Sequence, residues 1–310
     1  IYDPRINLTT EAVRFDLEVE CPACTTIFVN GGRPASGPSG RFRSDGVREL
    51  LLVAGDLSVT DNGRITYIGE TGPSEAGESS AATLEQISRF LEEFTGIPYG
   101  PLPDVVDLRP LRKPLPGQLW AFYSDPGLVF IGMTVPELED AMQQPRSKQA
   151  VVGFLAHELS HRYFGWTLGY ASPQRDFFGE PFATYLEWKA IRYFFGEEAY
   201  REGVDRLRKQ ASGAQWVTSL DRATANDFAE AAYRYTYSPA MLFALEEWIG
   251  EPAMRATIAY MLTAPPEVRR TADFAFLAEA VRAAGVSAER WQAWEAECLR
   301  AGPQTCTAAD

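Results

Sequence analysis

Hydrophobic residues in the first seventy positions occur in short runs rather than at helical spacing. Short β-branched or apolar runs between turn residues are typical of strands. Four such runs predict strands at Phe15–Glu20, Thr25–Val29, Leu50–Val53 and Ile65–Ile68. Gly31–Gly40 is predicted to be a loop because it is rich in glycine, proline and serine. The polar stretch Thr71–Ser80 indicates a flexible boundary, so residues 1–75 are interpreted as a β-rich N-terminal segment.

The spacing of hydrophobic residues becomes helical after this boundary. Thr83 and Gln86 match a capping box, and apolar residues then recur every three or four positions until Gly96. A strand is predicted at Leu128–Ile131. Later helices are predicted near Ala240–Ile249, Ala253–Met261, Phe274–Ala284 and Ala288–Leu299. This order of elements predicts an α+β fold in which residues 76–310 form a domain with a helical second half.

Composition limits the class of protein and its partners. Of the 310 residues, 45% are hydrophobic and 23% are charged, which is ordinary for a soluble globular protein. The formal net charge of -13 argues against nucleic acid or an anionic membrane as a partner. No apolar run reaches about 18 residues, so no membrane span is predicted. The opening residues IYDPRINLTT have no basic stretch followed by an apolar one, so no signal peptide is expected.

The four cysteines occur as two closely spaced pairs, Cys21 with Cys24 and Cys298 with Cys306. Two short-loop disulfides are the favoured interpretation, and they would place the protein in an extracytoplasmic, periplasmic or secreted, compartment. Free thiols, a redox dithiol and a structural zinc site are the alternatives, although the spacing of the second pair suits zinc poorly. Four cysteines allow three pairings, and the sequence does not choose among them.

The chain contains only two histidines, and both lie in the segment HELSH, as His157 and His161. The surrounding residues predict one helix that Ser147 caps at its start and Gly165 ends. Residues four apart share one face of a helix, so the two imidazoles can approach the same metal ion. Glu158 lies beside them, where a carboxylate handles a proton rather than binding the metal.

A catalytic zinc ion needs a third protein ligand and one open position. Eighteen residues after His161, the segment GEPFATYLEW places Glu180 at about the N-cap of another helix. Glu187 lies on the same face of that helix and is a candidate acceptor for the far nitrogen of a ligand histidine. The sequence therefore predicts a zinc site formed by His157, His161 and Glu180.

This pattern resembles the aminopeptidase-N-like gluzincins, a family that includes leukotriene hydrolase and aminopeptidase N. The similarity rests on HExxH, the eighteen-residue spacing, FG after the second histidine, and GE-x-FA-x-Y-x-E around Glu180. FTGIPYGPLPDVVDL upstream and YTYSPAMLFALEEWIG downstream extend it over roughly residues 50–262. The resemblance implies a thermolysin-like catalytic domain with a small mixed sheet.

The resemblance also implies a role for each residue. His157, His161 and Glu180 bind Zn²⁺, Glu158 is the general base for the attacking water, and the substrate is a peptide or oligopeptide. Tyr235 stabilises the oxyanion because it keeps the family's spacing to Leu242 and Leu245. Tyr233 and Tyr237 are close competitors for that role. The implied function is a zinc metallopeptidase, aminopeptidase-like.

Two departures from the family pattern keep other functions open. Ser124 stands where the family's aminopeptidases have the glutamate that binds the substrate's amino terminus, and Asp125 is the nearest replacement. The family's large N-terminal β domain is represented only by the β-rich segment. The alternatives are therefore an endopeptidase or oligopeptidase without an amine anchor, or a noncatalytic peptide-binding module.

Overall fold

The computed structural model describes residues 13–47, 50–69, 77–107, 119–130, 132–165, 167–168, 172, 174–213, 218–223, 227, 230–302 and 306. The chain divides into two compact units. Within the described residues, the strand-rich unit comprises those up to Arg89 and Tyr99–Arg162, and the helical unit comprises Phe90–Pro98 and those from Tyr163 onward. The predicted domain boundary after residue 75 lies outside the described residues and stays a prediction.

The strands of the strand-rich unit form three sheets. Their bounds are β1 (Val13–Glu20), β2 (Thr26–Val29), β3 (Ala35–Ser36), β4 (Ser39–Val47), β5 (Leu52–Gly55), β6 (Ser58–Asp61), β7 (Thr66–Gly69), β8 (Asp104–Asp107), β9 (Ala121–Ser124) and β10 (Gly127–Phe130). β1 pairs with β4, and β3, β2 and β5 form an antiparallel sheet in that order. The third sheet is mixed, with the order β6-β7-β8-β10-β9, and β8 runs parallel to both of its neighbours.

A hydrophobic core joins strands of the antiparallel β3-β2-β5 sheet and of the mixed sheet. Its fully or almost fully buried members are Phe28, Val53, Leu57, Ile68, Val106 and Val129. Burying each such side chain contributes about 1.5–3 kcal/mol to the free energy of folding. This core therefore fixes the mixed sheet, whose outer strand β9 packs against the helix that carries the two histidines.

The α-helices of the described residues lie mostly in the helical unit. Their bounds are α1 (Gly77–Thr95), α2 (Val135–Met142), α3 (Pro145–Ser160), α4 (Arg175–Phe178), α5 (Glu180–Phe195), α6 (Glu197–Gly213), α7 (Ser238–Ile249), α8 (Glu251–Thr263), α9 (Pro266–Arg270), α10 (Phe274–Ala283) and α11 (Ala288–Trp294). Two π-helical turns, Tyr233–Tyr237 and Glu295–Arg300, adjoin α7 and α11. The predicted α+β class and the predicted C-terminal helices are confirmed.

Aromatic side chains form much of the interior of the helical unit. Phe164 and Phe182 are completely buried and stacked, with their ring centroids 4.7 Å apart. Phe178 is also stacked with Phe182, and their ring centroids are 5.9 Å apart. Because Phe182 lies in the first turn of α5, this packing fixes the start of the helix that carries Glu180.

Three predicted boundaries were wrong. α1 begins at Gly77, so Thr83 lies inside the helix; Ser80 in its first turn is buried and donates a hydrogen bond to Glu139 (2.8 Å). Gly31–Gly40 contains β3 and the start of β4. At Gly40 a Cβ atom would come within 2.8 Å of the Ala35 side chain, so glycine permits this close strand approach.

The third wrong boundary concerns the helix of the two histidines. α3 begins at Pro145 after the N-cap residue Gln144, rather than at Ser147, because proline is favoured in the first helical turn. The helix ends at Ser160, not at Gly165, and His161 is its C-cap. The second histidine therefore lies at the very end of the helix.

Two disulfide bonds join cysteines that are neighbours in sequence. Cys21 pairs with Cys24, and Cys298 pairs with Cys306. The favoured interpretation of the cysteines is therefore confirmed, and the pairing left open by the sequence is the local one. Among the described residues, no helix has the length and apolar character needed to cross a membrane.

Candidate metal centre

The end of α3 presents two imidazole rings and a carboxylate. The rings of His157 and His161 have centroids 5.0 Å apart and are nearly perpendicular, at 83°. His157 and Glu158 are 7% and 6% exposed, so both are buried, whereas His161 is half-buried. This spacing follows from the helix, which returns to the same face after four residues.

Glu180 is the first residue of α5, one position later than the predicted N-cap, which is Gly179. Pro181 occupies the first turn, where its missing N–H is not needed for helix hydrogen bonds. A carboxylate in the first turn is stabilised by the helix dipole. The Glu180 side chain is half-buried.

The structure brings the three predicted metal ligands together. One ligand atom from each of His157, His161 and Glu180 lies within 4.8 Å of the corresponding atoms of the other two. Two imidazole nitrogens and one carboxylate oxygen form a typical donor set of a catalytic zinc site, which keeps a further position open for water. The residues therefore fit Zn²⁺.

The three tyrosines predicted as candidates for the oxyanion role differ in their burial. The π-helical turn Tyr233–Tyr237 precedes α7 and packs against α5. Tyr233 and Tyr237 are buried, at 6% and 0% exposure, whereas Tyr235 is 40% exposed. Burial also raises the pKa of Tyr237. Of the three tyrosines, Tyr235 alone is exposed, and short π-helical turns are frequent at functional sites.

The stretch at the position of the family's amine-binding glutamate contains no free carboxylate. Ser124 ends β9 and is 1% exposed. The Tyr123 hydroxyl donates a hydrogen bond to the Asp125 carboxylate (3.0 Å), and the positive charge of Arg162 also acts on Asp125. Asp125 is therefore already engaged by other side chains.

A buried ionic network along α5 is absent from the sequence prediction. Lys189 is 2% exposed, and its Nζ lies 2.5 Å from Glu246 Oε1 and 3.1 Å from Glu251 Oε2. The Tyr185 hydroxyl donates to the other oxygen of Glu246. The burial of Lys189 could have been found from the sequence, because Lys189 lies seven positions after Phe182 and therefore on the same, buried face of the helix.

The chain is similar to a known protein family. The family model described as "Peptidase family M1 domain" matches residues 124–284, which is just over half of the chain. No curated protein matches the sequence.

Similar folds occur among solved structures. An M1 zinc metallopeptidase variant from Deinococcus radiodurans, bound to a Tyr-Ser-Ala substrate, has a TM-score of 0.64 and 17% identity, over 97% of this chain and 66% of that one. The M1 zinc metallopeptidase from the same organism has a TM-score of 0.60 and 18% identity, over 92% of this chain and 63% of that one. The chain thus spans slightly less than two thirds of these proteins.

Proposed function

Because the chain belongs to peptidase family M1, we propose that it is a zinc-dependent peptidase with aminopeptidase-like activity. The observation that carries this proposal is the convergence of His157, His161 and Glu180 within 4.8 Å of one another. A module that only bound peptides would have no need of this donor set or of the adjacent Glu158.

The proposed ligands are the two imidazoles and the Glu180 carboxylate. Zinc bound there would lower the pKa of a coordinated water to about 7 and polarise a peptide carbonyl. Glu158, which is buried and follows a proposed ligand directly, is assigned as the general base. It would accept the proton of the attacking water and pass it to the leaving amine.

Tyr235 is assigned to the oxyanion. Its hydroxyl would donate a hydrogen bond to the carbonyl oxygen as negative charge develops there. Its 40% exposure, against the burial of Tyr233 and Tyr237, supports this assignment. The Arg234 guanidinium lies 5.4 Å from the centre of the Tyr235 ring and contacts the ring face.

The proposed substrate is a short peptide. The similar Deinococcus radiodurans structure contains a tripeptide substrate, and this substrate class suits an aminopeptidase. The second candidate is an endopeptidase or oligopeptidase without an amine anchor. The engagement of Asp125 by Tyr123 and Arg162 favours that candidate.

Two substrate types separate the candidates. Purified, zinc-loaded protein would be assayed with amino-acid 4-nitroanilides and with an internally quenched, N-acetylated peptide, using chelator-treated protein as the control. Aminopeptidase-like activity predicts cleavage of the 4-nitroanilides only. Cleavage of the acetylated peptide alone would establish the second candidate, and cleavage of neither substrate would refute the peptidase proposal.

We infer an extracytoplasmic location from the two disulfide bonds, which persist in oxidising compartments. Protein isolated from its native compartment in the presence of an alkylating agent, without reductant, should carry no alkylated cysteine. Alkylation of all four cysteines would contradict this location.

A further inference from the structure

The second histidine of the metal centre lies where the regular helix has ended. The backbone N–H of His161 donates to the carbonyl of Glu158 (3.1 Å), and the N–H of Arg162 donates to that of Leu159 (3.2 Å). Both bonds span three residues rather than four, as in a 3₁₀ turn. The α-helical hydrogen bonds alone therefore do not fix the His161 imidazole.

The side chain of the next residue, Arg162, is held at several points. Its Nη1 donates to the carbonyl of Pro101 (3.0 Å), and its guanidinium lies 5.1 Å from the centre of the Tyr99 ring. It also hydrogen-bonds the Tyr123 hydroxyl. Several directed contacts to one planar guanidinium define its position more closely than a single ion pair would.

The partners of Arg162 are themselves fixed within the strand-rich unit. The Tyr99 hydroxyl donates to the carbonyl of Leu159 (3.1 Å), the same group that accepts the Arg162 N–H. The Tyr123 hydroxyl donates to Asp125, whose backbone carbonyl accepts a hydrogen bond from Asn30 (3.1 Å). The contacts around Arg162 thus connect the end of α3 to β9 and, through Asp125 and Asn30, to the end of β2.

The backbone next to Arg162 also leaves room for its side chain. Gly100 has a φ of +82°, and a Cβ atom there would lie 3.0 Å from Arg162 Nη2. A side chain at position 100 would therefore be strained and would crowd the guanidinium. The glycine at position 100 therefore allows the Arg162 side chain to pack against residues 99–101.

We propose that Arg162 is a positioning residue for His161. The inference rests on the proposed zinc site. Arg162 is covalently joined to His161, and its guanidinium is tied to Pro101, Tyr99 and Tyr123. These ties hold the helix end in the conformation that directs the His161 imidazole toward His157 and Glu180. Groups that orient metal ligands commonly change metal affinity by about 10- to 100-fold when they are removed.

The zinc dissociation constant of the folded protein tests this inference. It would be measured by competition with a chromophoric chelator, and the Co²⁺-substituted protein would give a visible absorption spectrum that reports ligand geometry. We expect Arg162→Gln to bind zinc at least about 10-fold more weakly and to change the Co²⁺ spectrum. Arg162→Lys, which keeps the charge but not the planar fork, should be intermediate.

Arg255→Gln is a matched control. Arg255 also donates to a backbone carbonyl, that of Phe94 (3.1 Å), and its guanidinium lies 4.9 Å from the Phe94 ring centre. It is not adjacent to a proposed ligand, so its zinc affinity should stay within about 2-fold of wild type. Equal losses in Arg162→Gln and Arg255→Gln would overturn the inference, as would wild-type affinity in Arg162→Gln.

A milder variant keeps the test decisive if Arg162→Gln does not fold. Tyr123→Phe removes one hydrogen-bonding partner of the guanidinium, and we expect weaker zinc binding with a folded metal-free protein. Unchanged affinity in that variant would overturn the inference. A wild-type protein that binds no zinc would refute the proposed function as well, whereas tight binding by wild type and Arg162→Gln alike overturns this inference alone.

Discussion

The Tyr233 hydroxyl hydrogen-bonds both backbone polar groups of Thr218, accepting from its N–H (3.0 Å) and donating to its carbonyl (3.0 Å). Tyr237, one helical turn later, is fully buried. Both phenols therefore stabilise the segment before α7. Tyr235 lies between them and is exposed, which makes it the candidate for contact with a substrate.

Tyr235→Phe should lower kcat by about 100- to 1,000-fold with little change in KM, because the lost hydrogen bond forms only in the transition state. Steady-state kinetics on a cleaved peptide would measure both constants. Tyr237→Phe is the matched control and should mainly lower the free energy of unfolding, by about 1 kcal/mol. A large kcat loss in Tyr237→Phe, with normal kcat in Tyr235→Phe, would assign the role to Tyr237.

Glu158→Gln should bind zinc as wild type does but turn over about 100- to 10,000-fold more slowly, because glutamine cannot accept the proton of the attacking water. The measurement is kcat at equal zinc occupancy. The exposed Glu202 on α6 supplies the control Glu202→Gln, which should keep full activity. Wild-type turnover in Glu158→Gln would refute the assigned base.

Lys189→Met should lower the free energy of unfolding by about 3–5 kcal/mol, because it leaves the Glu246 carboxylate without its cation in a mostly buried place. Denaturant titration followed by circular dichroism would give this difference. Lys209→Met, at an exposed position of α6, should change stability by less than about 0.5 kcal/mol. Equal effects in the two variants would show that the network is not stabilising.

The same network predicts a pH dependence. Burial raises the pKa of Glu251, but the charges of Lys189 and Arg192 outweigh burial, so the pKa lies below its ordinary 4.5. A lowered pKa stabilises the fold at pH values above 4.5, and this contribution is lost as the pH falls toward the lower, folded-state value. The stability difference between wild type and Glu251→Gln should therefore shrink below pH 4.5. A difference that is constant from pH 7 to pH 3 would contradict the assignment.

The sequence predicted what depends on local spacing. Two histidines four residues apart share a helix face wherever that helix lies, and the strand Leu128–Ile131 was recognisable from its apolar run. The structure has this strand at Gly127–Phe130, and Ile131 lies outside the described residues.

The sequence could not predict features that depend on contacts between distant residues. Lys189 meets Glu246 across 57 positions of sequence, and the Tyr99 hydroxyl reaches Leu159 across 60. The early start of α1 has the same origin, since Ser80 is held by Glu139, 59 residues away. Periodicity and capping patterns contain no information on such partners.

The zinc content of the purified protein tests the central claim most directly. Wild type and Glu158→Gln, dialysed against dilute zinc and then against metal-free buffer, should each retain about one zinc ion per chain. His157→Ala, His161→Ala and Glu180→Ala should each retain far less, while the control Glu202→Ala should match wild type. Full zinc occupancy in Glu180→Ala, or no bound zinc in wild type, would contradict the proposed three-residue metal centre.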